Sequence, residues 1–114
     1  MRSGVFKPAV FLAGLLAAVV GVDIAPDAAR MLLARGGGET DVRIENVYYM
    51  CVNGKGFAMV RNGKPENTED FDVVETEELN VYVPKSMSFE EDKPQIVTFP
   101  RRTGRRDVGV SNSL

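Results

Sequence analysis

VRIENVYYMCVNGKGFAMV, Val42 to Val60, reads as two β-strands around a glycine-interrupted turn. Val42 and Ile44 alternate with Arg43 and Glu45. Beyond them Val47, Tyr49 and Cys51 share one face and Tyr48, Met50 and Val52 the other, which is the period-two pattern of a strand. A strand so rich in β-branched and aromatic residues is at least half buried. Gly54-Lys55-Gly56 supplies backbone freedom where the chain reverses, and Phe57 to Val60 resumes an apolar run. The single cysteine, Cys51, therefore stands at the mouth of a turn.

Upstream, Val19 to Ala25 is apolar and β-branched, which predicts a short strand, and Pro26 followed by Asp27 opens a helix. On that helix Ala28, Met31, Leu32 and Arg35 fall on one face. Arg35 complements the negative end of the helix dipole, and Gly36-Gly37-Gly38 stops the helix. Downstream, Asn62-Gly63 signals a reversal, and Asp72 to Thr76 and Leu79 to Val83 predict two strands, the second ended by Pro84. QIVTF, Gln95 to Phe99, predicts another strand, and Thr103-Gly104 marks a turn before a last one around Val108 and Val110. One helix followed by many short strands implies an α+β, mostly β domain: a compact β-sandwich or pseudo-barrel with one main helix. The expected division is an apolar N-terminal segment over 1–22 and the domain over 23–114.

The run PAVFLAGLLAAVVGV, Pro8 to Val22, carries no charge, yet it is shorter than the about 20 residues of a bilayer span. It reads as a signal-peptide h-region, as a short anchor with membrane contact through residues 5–22, or as a helix packed on the domain. The small residues Ala9, Ala13, Ala17 and Gly21 line one stripe and favour close packing in either setting. The expected location is the cytoplasm, with a membrane tether in the anchor reading.

The chain has 114 residues, 14 basic and 16 acidic side chains, a net charge of −2, one cysteine and no histidine. That balance argues against nucleic acid as a partner bound through bulk charge. One cysteine excludes an intrachain disulfide, and the absence of histidine excludes imidazole acid–base chemistry and imidazole metal ligation. No phosphate-loop, dinucleotide or zinc spacing occurs, and the chain is read as non-enzymatic. Charge is nevertheless uneven. Glu69, Asp70, Asp72, Glu75, Glu77 and Glu78 form an acidic run that reads as a solvated strand edge. Arg101, Arg102, Arg105 and Arg106 make a basic turn, a candidate contact for an anion or an acidic partner.

Taken together, VDIAPDAARMLLARGGG, the strand ending at Cys51 with NGKG after it, FDVVETEELNVYVPKS and QIVTFPRRTGRRDVGVSN resemble the HesB-like family over Val22 to Asn112. This is the fold of A-type iron–sulfur carriers and of relatives with a paired cysteine at the central position. The resemblance implies that Cys51 takes the place of the first family cysteine, as a metal or thiol site beside Gly54, Lys55 and Gly56. The carriers' C-terminal cysteine pair has no counterpart, and Met50 stands where a paired thiol would be. The implied function is that of a degenerate iron–sulfur or metal-handling accessory factor. The alternative is a cofactor-free protein-interaction module tethered by its N-terminal segment. One thiol per chain is too few for a cluster. Iron or a cluster would therefore be shared between two chains of a homodimer, or between a chain and an external thiol, and the alternative needs no cofactor.

Overall fold

The computed structural model describes residues 2–3, 5–6, 21–52 and 55–113, and side chains over 21–46 and 58–113. Most of the apolar run, residues 7–20, and Asn53 and Gly54 of the turn lie outside the described residues. Among the described residues, nine strands form one mixed sheet: β1 (Arg2–Ser3), β2 (Val5–Phe6), β3 (Asp23–Ile24), β4 (Asp41–Val52), β5 (Lys55–Asn62), β6 (Phe71–Glu75), β7 (Asn80–Pro84), β8 (Gln95–Pro100) and β9 (Arg106–Val110). Their order is β1-β3-β8-β9-β5-β4-β7-β6-β2. The pairs β3–β8 and β4–β7 are parallel and the others antiparallel. β1 and β2 are neighbours in the chain yet lie at opposite margins: Ser3 pairs with Asp23 and Val5 with Glu75. The sheet must therefore curl until its margins are a few residues apart, as a half-barrel. The expected α+β, mostly β class with one main helix holds, its strands joined in a single curled sheet.

The helix α1 (Pro26–Gly36) starts where Pro26 and Asp27 placed it, and it ends on Gly37, whose φ of 58° is the left-handed cap. It buries Ala28, Ala29 and Leu32, packs on β5, β8 and β9, and leaves Arg35 reaching out of its last turn. Asn62 fastens the helix end by donating from Nδ2 to the Leu32 carbonyl at 2.8 Å. A Cβ on Gly36 would stand 2.9 Å from that nitrogen, so a side chain there would break the clasp. Asn62-Gly63 is thus the exit of β5 and not a hairpin turn. Val42, Ile44, Val60, Val74, Leu79, Val81, Ile96 and Val108 join Leu32 in the core. Each such side chain contributes about 1.5–3 kcal/mol by leaving water.

β4 and β5 pair from Val42↔Asn62 to Val47↔Phe57, and then again at Cys51↔Gly56 and Val52↔Lys55. Three residues of β4, Tyr48, Tyr49 and Met50, therefore face no counterpart on β5, which makes a wide bulge. β7 pairs with β4 only over Asp41–Arg43, and β9 meets β5 at Ala58 and Met59. Among the described pairings, the hairpin from Val47 to Phe57 is a two-stranded arm beyond the sheet.

The acidic run departs from its expected solvated reading at one point. On β6, Asp72 is buried on the same side of the strand as the core residue Val74. Burial raises its pKa above the ordinary 3.8, and the charge of Lys85 opposes that only in part.

Candidate functional site

The β8–β9 hairpin turns through Arg101 to Arg105, where Gly104 has a φ of +82°. The Arg101 amide donates to the Arg105 carbonyl at 2.7 Å, and the Gly104 amide donates to the Arg101 carbonyl at 2.9 Å. The turn foreseen from Thr103-Gly104 thus holds Arg102 and Arg105 exposed at its tip. Directly after it, Asp107 sits on β9 opposite Phe99.

Asp107 gathers three arginines from three elements. Arg35 Nη1, from the last turn of α1, donates to its Oδ1 at 2.9 Å. Arg61 Nη1, from β5, donates to the same oxygen at 3.4 Å, and Arg101 Nη1, from the turn, donates to Oδ2 at 3.2 Å. The Val108 amide adds a fourth bond at 2.8 Å. The Asp107 side chain is only 5% exposed, whereas those of Arg35, Arg61 and Arg101 are 38%, 40% and 47% exposed. One buried carboxylate thus lies beneath three half-exposed guanidinium groups. Burial pushes its pKa up. The hydrogen bonds from Arg35 and Val108, with the charges of Arg61 and Arg35, outweigh burial and hold it below the ordinary 3.8.

Arg106 faces another partner. Its Nη2 donates to Thr98 Oγ1 at 2.6 Å, and that hydroxyl donates to Asp27 Oδ2 at 2.8 Å. The Thr98 bond, foremost among several causes, lowers the pKa of Asp27. Arg35 Nη2 also donates to the Arg106 carbonyl at 3.0 Å, tying the two clusters together. Six arginines therefore meet at this end of the molecule, and the carboxylates hydrogen-bonded among them are Asp107 and, through Thr98, Asp27. The sequence singled out Arg101, Arg102, Arg105 and Arg106. The sequence marks Arg35 only as a helix-end charge and does not mark Arg61, because they lie 72 and 46 residues from Asp107 in the chain.

The other expected site is at the end of the hairpin arm. Cys51 resumes pairing just past the bulge, opposite Gly56, and Lys55 follows opposite Val52. Gly54 and the Cys51 side chain lie outside the described residues. No group of three His, Cys, Asp or Glu side chains that could hold a metal occurs among the described residues. With one thiol and no imidazole in the whole chain, the residues present do not fit an iron–sulfur cluster. The expected iron–sulfur accessory function is corrected on that ground together with the family match given below. Among the described residues no helix is long and apolar enough to cross a membrane.

No curated protein and no solved structure matches the chain. A family model does match, over residues 20–111, and it describes a CC/Se motif containing family. That family is distinct from the HesB-like carriers and from their paired-cysteine relatives, so the resemblance to them fails. Short matches in order, a helix opening, a cysteine before glycines and a pair of strands, are within reach of any small α+β chain. By the match across its whole core, from the strand before α1 to the end of β9, the chain belongs to the CC/Se motif containing family.

Proposed function

We propose that this protein is a non-enzymatic binding module that docks an acidic segment of a partner protein on the arginine end of the β8–β9 hairpin. The observation that carries this is the single buried carboxylate of Asp107 beneath three half-exposed guanidinium groups. The carboxylate neutralises one positive charge and leaves two, with Arg102 and Arg105 exposed alongside. Guanidinium forks match carboxylate oxygens in pairs, and a Debye length of about 8 Å lets adjacent arginines act together at close range. A long nucleic acid would also meet the acidic remainder of a chain whose net charge is −2. A short acidic segment avoids that repulsion. The test is a titration of the isotope-labelled protein with a Glu-rich peptide, read by nuclear magnetic resonance. Shifts confined to Arg35, Arg61 and residues 101–107 support docking there. No shifts, or shifts elsewhere, refute it.

A second reading comes from the family's own description, which points to a motif of paired cysteines or selenium. This chain keeps one cysteine, placed just past a wide bulge, a feature common beside functional residues. In this reading the Cys51 thiolate attacks a disulfide of a partner. A mixed disulfide forms and the partner's other sulfur leaves as a thiolate. Incubation with glutathione disulfide followed by mass spectrometry should then show one glutathione adduct, absent in Cys51→Ser. An unmodified wild type removes this reading.

A further inference from the structure

We infer that the centre of the arginine surface, Arg35, Arg61 and Arg101 over Asp107, receives a phosphoryl group carried on the partner's acidic segment. This rests on the docking reading and sharpens it. The first support is charge. Three guanidinium groups share one carboxylate that stays ionised, so two positive charges remain. A carboxylate ligand would neutralise one of them, whereas a phosphate monoester, which carries about two negative charges at neutral pH, neutralises both.

The second support is geometry. The three Nη1 atoms all lie within 3.4 Å of one carboxylate's oxygens and are therefore close neighbours of one another. A phosphoryl group offers three acceptor oxygens in a tetrahedral array, one for each fork, while a carboxylate has two oxygens in a plane. Every Nη carries two N–H groups, so donors remain on each arginine beyond its bond to Asp107.

The third support is preparation. Asp107 is the positioning residue: it collects like charges from α1, β5 and the hairpin turn before any ligand arrives, so the ligand does not have to assemble them.

The experiment measures the affinity of the full chain for a Glu-rich peptide with serine, glutamate or phosphoserine at its centre, and for inorganic phosphate alone. The expected result is roughly tenfold tighter binding of the phosphoserine peptide than of the other two. That advantage should shrink as pH falls below about 6, where the phosphoryl group takes up a proton. Arg35→Ala and Arg61→Ala should weaken all three peptides and bring the phosphoserine peptide down to the affinity of the other two. Should either alanine variant lose its fold by circular dichroism, Arg35→Lys and Arg61→Lys replace them. These keep the charge and lose the fork, and the same advantage should drop. Equal binding of the three peptides, or an advantage that survives these substitutions, overturns the inference and leaves docking intact. Inorganic phosphate bound as tightly as the phosphoserine peptide overturns it in favour of a free anion. No binding by any peptide overturns the docking reading as well.

Discussion

Asp107→Asn isolates the residue that holds the arginine end together. Asparagine has the same shape and keeps an oxygen for the Val108 amide, Arg35 and Arg61, but it carries no charge and presents an NH2 group to Arg101. Ion pairs with arginines this exposed contribute about 0.2–1 kcal/mol each. Three of them give roughly 1–3 kcal/mol. Removing a charge from a site only 5% exposed returns part of that. The net loss at neutral pH should be about 1–2 kcal/mol, or a fall in Tm of roughly 4–10 °C for a domain of this size. Urea unfolding of both proteins across pH is the assay. The folded pKa of Asp107 lies below the ordinary 3.8, so its stabilisation is complete above that value and disappears as pH falls through the folded pKa. The wild type should exceed the variant by a constant margin above about pH 5, and the margin should close in stronger acid. Equal stability at neutral pH refutes this account, as does a margin that does not narrow as acid carries the pH below 3.8.

Other substitutions probe other parts of the fold. Asp72→Asn should stabilise the protein at neutral pH, because the buried carboxylate has a raised pKa and its charged form is disfavoured; the gain should vanish once acid protonates the wild type. A variant no more stable than wild type at pH 7 counts against a desolvated Asp72. Asn112→Ala removes bonds to Glu90 O at 3.1 Å, Lys93 O at 2.8 Å and the Gln95 amide at 2.9 Å, and it should cost about 2–4 kcal/mol by urea unfolding. Those bonds clamp a loop in which Glu91 and Asp92 both take positive φ, so proteolysis should concentrate there in the variant. Thr76→Val deletes the hydroxyl that accepts from the Leu79 amide at 2.9 Å and donates to the Leu79 carbonyl at 2.9 Å, which should cost about 1–2 kcal/mol and loosen the β6–β7 turn by hydrogen exchange.

Local signals in the sequence place most of these elements. Pro26 and Asp27 opened α1, Gly37 closed it, and the alternations at 42–47, 72–76, 79–83 and 95–99 became β4, β6, β7 and β8. Each depends on residues within a turn or two of one another. What escaped depends on how distant strands meet. The bulge between Val47 and Cys51 was invisible because the apolar alternation runs through it unbroken. Asp72 looked solvated among its acidic neighbours, and only the register of β6 turns it onto the core side of the strand. The arginine turn was legible as composition, but its organisation was not. β5 must lie beside β9 before Arg61 can reach Asp107, and nothing in either segment states that adjacency. The family resemblance failed in a related way: it rested on short elements in order, and one cysteine could not supply the ligands that such a function needs.

Salt dependence tests the central claim most directly. The affinity of the Glu-rich peptide should be measured for wild type and for an Arg102→Ala, Arg105→Ala double variant as salt rises from about 20 mM to about 500 mM. Docking on the arginine end predicts that wild-type affinity falls steeply with salt, that the double variant binds more weakly and with a shallower slope, and that both unfold at the same urea concentration. Affinity indifferent to salt, or a double variant indistinguishable from wild type, would contradict it.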